Sequence, residues 1–337
     1  MNLRATAAVA ALGLLAATPA GANDSSAEMA AGGLVLTRSA QIQMASEDLF
    51  VSAQEVRVHY RFRNLISQPI TTRVAFPMPD VPSTEAPLAV PTEDPRNLLD
   101  FHTLVDGVPV KAELEQKAVL DGVDRTAVLK GMNLPLAPHL HSTLEALDRL
   151  TPAQGKTLLD LGLVRPDEYD DDGKGMKQHL SPLWTLKTTW HWQQTFPAGR
   201  DLMVDHRYKP AAGASAGTMV GSARFTADAE GRAEIAKYCM DKAFLSAAAR
   251  TRKPGMDYPP LWEQRIAYVL RTGANWAGPI GDFTLTVDKG APENLVSFCG
   301  QGVTKISPTQ FQVKKTNFKP MRDLDVMILL PVPDAPQ

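Results

Sequence analysis

After residue 22 of this 337-residue chain there is no run of about 18 apolar residues, so no later segment has the length of a membrane-spanning helix. An excess of one charge is also lacking: 35 basic side chains stand against 37 acidic ones, and no basic stripe forms. A nucleic-acid binder is therefore not expected. GxGxxG, P-loop and HExxH patterns are absent, which removes the usual signatures of dinucleotide, nucleotide and zinc-protease chemistry. Cysteine is nearly absent too, with two residues and no CxxC spacing, too few for a zinc site. The last histidine is His206, so none follows Cys239 or Cys299 and papain-like order fails. Gly213-Ala-Ser215-Ala-Gly217 matches GxSxG, yet no buried strand precedes it and no helix signal follows, as a nucleophile elbow requires. No cofactor is expected. What is present is 44% hydrophobic and 21% charged, the composition of a folded protein rather than a disordered one.

The first 22 residues, MNLRATAAVAALGLLAATPAGA, have the three parts of an export signal. Arg4 gives the positive start, Ala5 to Ala17 a short apolar stretch, and Ala20-Gly21-Ala22 the small-residue cleavage site. The expectation is cleavage after Ala22 and a periplasmic product without a transmembrane segment. In an oxidising compartment Cys239 and Cys299 are most simply one disulfide.

Period-two alternation dominates the rest. In EVRVHYRFRN, Val56, Val58, Tyr60 and Phe62 share one face, and Arg57, His59, Arg61 and Arg63 the other, which reads as a half-buried strand with a solvated basic face. Asp106-Gly107 is the expected turn of a hairpin. Helix signals cluster between 121 and 180: a helix-like stretch ending at Gly131, and capping-box patterns at Ser142–Glu145 and Thr151–Gln154. The following acidic run, Glu168 to Gly175, is similar to the opening of a calcium loop. His179 stands where a bidentate Glu is needed, so a solvated loop is expected and no metal site. His139 and His141 lie in a Pro-flanked loop with no third ligand in view. In LWTLKTTWHWQQTF, Trp184, Trp190 and Trp192 share a face with Leu186 and Phe196. A core is the expected reading, and a ligand-stacking platform that could include Trp276 is the alternative. The small residues from Pro210 to Ser222 read as a linker, and Asp241 as the cap of a helix reaching Arg250.

Several long segments together resemble a family of exported bacterial proteins, mostly Gram-negative, known only as a domain of unknown function. The matching pieces are NDSSAEMAAGGL (Asn23 to Leu34), SEDLFVS (Ser46 to Ser52) and VAFPMPD (Val74 to Asp80). Further on are PLWTLKTTWHWQQTFPAGRDLMVDHRYKP (Pro182 to Pro210), TGANWAGPIGDFTLTVDKG (Thr272 to Gly290), NLVSFCG (Asn294 to Gly300) and RDLDVMILLP (Arg322 to Pro331). The resemblance implies a periplasmic protein and supplies no catalytic residues. YRFRN…PITTRVAFPMP is also similar to the entry strands of VIT-type domains, a likeness of fold alone.

The expected architecture is mainly β: two β-sandwich-like units with a short α-helical insertion. The first would take residues 23–210, with helices inserted at 121–180, and the second residues 211–337. The expected function is a non-enzymatic binding or envelope-interaction module, whose partner would be a glycan or an envelope protein. The alternative is a periplasmic hydrolase acting on a glycan through carboxylates that sequence does not pair.

Overall fold

The computed structural model describes residues 23–30, 33–83, 88–170, 173–215 and 217–332. The expected leader, 1–22, lies outside the described residues, as does Asp172 of the acidic loop. The chain opens with β1 (Ser25–Ala30), β2 (Gly33–Thr37), β3 (Ile42–Val51), β4 (Val56–Asn64), β5 (Ile70–Pro77), β6 (Val81–Pro82) and β7 (Leu88–Ala89). Next come β8 (His102–Val105), β9 (Val108–Pro109), β10 (Glu113–Leu120) and β11 (Val123–Asp124), then helices α1 (Thr126–Gly131), α2 (His141–Asp148) and α3 (Pro152–Asp160). β12 (Val164–Tyr169), β13 (Lys177–Pro182), β14 (Thr185–Phe196), β15 (Asp201–Tyr208) and β16 (Ala212–Ser215) lead to α4 (Ala223–Ala227), α5 (Ala229–Tyr238) and α6 (Lys242–Arg250). β17 (Leu261–Tyr268), a 3-10 turn (Arg271–Asn275), β18 (Ile280–Asp288), β19 (Leu295–Phe298), β20 (Thr304–Lys305), β21 (Gln310–Phe318) and β22 (Leu324–Pro331) close it.

Mainly β is the observed class. The base is an eight-stranded sheet ordered β20-β21-β18-β3-β4-β15-β8-β9. A seven-stranded sheet runs β11-β10-β14-β5-β1-β2, with β6 beside β14, and a five-stranded sheet runs β19-β22-β17-β16-β7. Both lie on the same face of the base, and β4 shows why. Tyr60 and Phe62 point the same way from this strand. Tyr60 meets Tyr268 of β17, hydroxyl to hydroxyl at 2.9 Å, while Phe62 packs edge-on to Phe196 of β14 at 5.7 Å. Two β-sandwich-like units therefore share one sheet; one core cluster spans both, and a second, with Phe225, Tyr238, Phe244 and Met327, packs the helices on the five-stranded sheet. Each large apolar side chain sealed there contributes about 1.5–3 kcal/mol.

The shared sheet crosses residue 210, where the sequence reading divides the chain. β18 belongs to the expected second unit, yet it pairs in parallel with β3, Asp282 opposite Ser46 through Val287 opposite Val51. The expected linker is corrected. β16 pairs with β17 on one side and β7 on the other. At Gly213, opposite Arg265, an added Cβ would stand 3.9 Å from Arg265 Cβ, ordinary packing distance. Composition alone reads such a run as loose, whereas pairing partners decide strand formation.

The hairpin turn is as expected, with Asp106 at φ 48° and Gly107 at φ 77°, the two left-handed residues that a tight turn between twisted strands demands. Thr151 caps α3 through a full capping box with Gln154. The second expected box is corrected: Ser142 lies inside α2, which starts after Leu140 without a side-chain cap. The outward face of β4 is neutralised by its neighbours. Arg61 and Arg63 bond Asp201, and His59 lies 2.6 Å from Asp205. It is a solvated, paired surface of little energetic weight.

Candidate functional site

The tryptophans are core. Trp184, Trp192 and Trp276 are buried, and half-buried Trp190 stacks on Phe101 at 5.5 Å. Their polar edges are held inside: Trp184 Nε1 donates to the Leu136 carbonyl at 2.8 Å, and Trp276 Nε1 to the Asp24 carbonyl at 2.7 Å. The stacking-platform alternative is corrected for these three, whose rings have no open face to offer a sugar. Cys239 and Cys299 are bonded to each other. The bond ties the end of α5 to the end of β19, next to a hydrogen bond from Ser297 Oγ to the Tyr238 carbonyl at 3.0 Å. No group of three or more metal-ligating side chains occurs among the described residues.

A polar cluster sits where both sandwich units meet. Asn23 and Asp24 are fully buried at the entrance to β1. Asn23 Nδ2 donates to Glu47 Oε2 at 3.2 Å and to the Leu270 carbonyl at 3.3 Å, and its own carbonyl accepts from Thr272 Oγ1 at 2.9 Å. Asp24 Oδ1 lies 3.1 Å from His206 Nε2. Tyr268 donates to Glu47 Oε1 at 3.3 Å. Burial drives both carboxyls toward the neutral form. Asp24 is raised above its ordinary value by desolvation, against the attraction of His206. Glu47 is pushed up to about 8 by desolvation, against its bonds from Asn23 and Tyr268. Sequence reading missed this site, because a carboxylate in a strand such as ASEDLFVS looks like a surface residue. The available signal was register: Glu47 shares the inward face of β3 with Leu49 and Val51, after the pairing shifts between Met44 and Ser46. Four segments of the family resemblance meet here, through Asn23, Glu47, His206 and Thr272.

A different place offers room for a ligand. Beyond α5 and the disulfide, the base sheet and the five-stranded sheet part at one end and leave a solvent-open cavity of about 800 Å³. β18 and β21 form its wall. Leu285 pairs with Val313 and Phe283 with Lys315, so Phe311, Val313 and Lys315 lie on one side of β21. Phe298 of β19 also lines the cavity, as do the charged residues Asp241, Lys319, Arg322 and Asp323. Lys315 is the informative residue. It continues the register of Phe311 and Val313 on β21, lines the cavity and is half-buried. Of the charged residues lining the cavity, Asp323 is engaged by Arg271 at 2.8 Å.

Fold and cavity together define a mainly β protein with one shared sheet, a sealed polar centre and an apolar, ligand-sized opening. The chain belongs to the family described as a domain of unknown function (DUF4424), which it matches over residues 22–327. No curated protein matches it. Among solved structures it is similar to a Legionella pneumophila protein provisionally described as nutrient binding, with a TM-score of 0.45 and 15% identity, over 91% of this chain and 70% of that one.

Proposed function

We propose that this protein is exported, is cleaved after Ala22, and works in the periplasm as a non-enzymatic binding module for an anionic amphiphile. The observation that carries the reading is the cavity of about 800 Å³, lined by aromatic side chains and by three cations, Lys315, Lys319 and Arg322, against two carboxylates, Asp241 and Asp323. Small-molecule sites have this form: apolar walls that supply affinity and a few placed polar groups that fix orientation. The hydrocarbon part would lie between Phe283, Phe298 and Phe311, with its anionic head at Lys315 and Lys319. A glycan hydrolase would need two carboxylates facing an open cleft. The two carboxyls most perturbed by burial, Asp24 and Glu47, are inside the core instead, which favours binding over hydrolysis.

The test is displacement of a fluorescent fatty acid from the purified mature protein by palmitate and by hexadecanol. Palmitate should displace it saturably, and the neutral alcohol should be weaker by about tenfold, the worth of roughly one charge-assisted contact. Lys315→Glu should abolish that preference, and Val313→Trp, which adds bulk at the cavity wall, should weaken binding of both compounds. No saturable binding of either compound would overturn the reading.

A further inference from the structure

The first residue after the expected cleavage site, Asn23, is among the most deeply buried in the protein. Asn23 and Asp24 show no exposed surface, although a chain end is ordinarily loose and solvated. The surroundings are shaped for this segment. Thr272 holds the Asn23 carbonyl, Asn275 Nδ2 donates to Ser25 Oγ at 3.0 Å, and Trp276 holds the Asp24 carbonyl. Gly273 leaves the space: a Cβ there would come within 2.6 Å of Asn23 Nδ2. Two buried oxygens in the cluster, Asn23 Oδ1 and Asp24 Oδ2, lack a hydrogen-bond partner. Buried acceptors without donors are costly, so such a site has a use for a further hydrogen-bond donor.

We infer that cleavage between Ala22 and Asn23 is a maturation step, because it frees an α-amino group inside this cluster, where its ammonium partners Asp24 and Glu47. The inference rests on the export reading above. In the step itself, water adds across the Ala22–Asn23 amide. Hydroxyl goes to the Ala22 carbonyl, which leaves as a carboxylate, and the nitrogen keeps Asn23 and takes protons to become an ammonium. Four covalent bonds separate that nitrogen from Nδ2, so it lies within about 5 Å of an atom already bonded to Glu47. An amide in the same place offers at most one donor and no charge, whereas the ammonium offers three and one full charge. Processing would thereby fasten β1, which pairs with β5 from Ser25 opposite Ala75 to Ala27 opposite Arg73, into the seven-stranded sheet.

The test compares two forms of the mature chain released from one exported fusion by a site-specific protease, one starting at Asn23 and one a residue earlier at Ala22. N-terminal sequencing of the natively exported protein accompanies it. The native start should be Asn23, and the Ala22 form should melt lower by about 5 °C or more. An amine-acylating reagent should label the Asn23 terminus of the folded protein slower than its lysines by about tenfold or more, and at the ordinary rate once the protein is unfolded. Glu47→Gln should shrink the melting difference between the two forms; if that variant does not fold, the labelling ratio alone decides. A native start elsewhere, equal melts, or an Asn23 amine labelled as fast as the lysines would each overturn the inference. Failure to bind an amphiphile touches only the cavity reading, and so separates the two.

Discussion

Tyr60 and Tyr268 stand 208 residues apart in the chain and meet through a hydrogen bond of 2.9 Å between their hydroxyls, at the junction of the two sandwich units. The bond belongs to a buried chain that continues from Tyr268, whose hydroxyl donates to Glu47 Oε1 at 3.3 Å. Removing one hydroxyl leaves a buried neighbour without its partner, so Tyr268→Phe should cost about 1–3 kcal/mol. Removing both should cost less than the sum of the single changes by at least about 0.5 kcal/mol. Urea unfolding of the two single variants and the double variant measures this. Strict additivity would mean that the hydroxyls act independently.

Trp190 and Trp192 are indistinguishable in the sequence, two residues apart on one strand face, but differ in the fold. Trp192 is buried beside His206, with ring centroids 5.7 Å apart, and its Nε1 donates to Gln194 Oε1 at 3.2 Å. Trp190 is half-buried at the rim, against Phe101. Trp192→Ala should lower stability by about 3–5 kcal/mol, and Trp190→Ala by clearly less. Thermal melts give the order, and equal losses would contradict the difference in packing.

What the sequence revealed was local. Alternation in EVRVHYRFRN gave β4 and both its faces, Asp106-Gly107 its turn, Thr151 and Asp241 their helix caps, because each of these is decided by neighbours in the chain. The shared sheet was not legible, since nothing local to β18 or β3 says that they pair across more than 200 residues. The linker reading of 210–222 failed for the same reason. Asn23, Asp24 and Glu47 look like surface residues in sequence; only the tertiary fold brings Gly273, Thr272 and His206 around them. Lys315 was hidden among the lysines of QFQVKKTNF, and its role follows from the register that β18 imposes.

The disulfide closes a loop whose ends are 60 residues apart, and that loop contains α6, β17 and β18. The chain-entropy account gives about 4 kcal/mol for a loop of this size. Cys239→Ser should therefore melt well below the parent, and reductant should bring the parent down to the variant while leaving the variant unchanged. Because the bond borders the cavity, the same experiment repeated with palmitate present tests whether it also shapes the mouth. A parent indifferent to reductant would show that the bond does not hold the fold.

Glu47 should make stability depend on pH in a direction unusual for a carboxyl. Its pKa is raised from the ordinary 4.5 to about 8, chiefly by burial, with a smaller push from Asp24. Between those values the unfolded chain has released the proton while the folded chain still holds it. The unfolded state then binds fewer protons, so stability falls as pH rises. Its contribution is complete below about pH 4.5 and gone above about pH 8. Asp24 is raised in the same sense, while Tyr60 and Tyr268, the other titrating groups that face Glu47, are raised well above 10 and stay protonated throughout. His206 approaches from β15 and touches Asp24 rather than Glu47. For the form that keeps Ala22, urea unfolding should lose a few kcal/mol between about pH 5 and pH 8, at most about 1.4 kcal/mol per pH unit for this one group. Glu47→Gln should flatten most of that decline. In the form that starts at Asn23, a neighbouring ammonium favours the ionised carboxyl and lowers its pKa, so the decline should be shallower. A stability that rises through this window in all three proteins would mean that Glu47 is ionised in the folded state and already has its positive partner without cleavage.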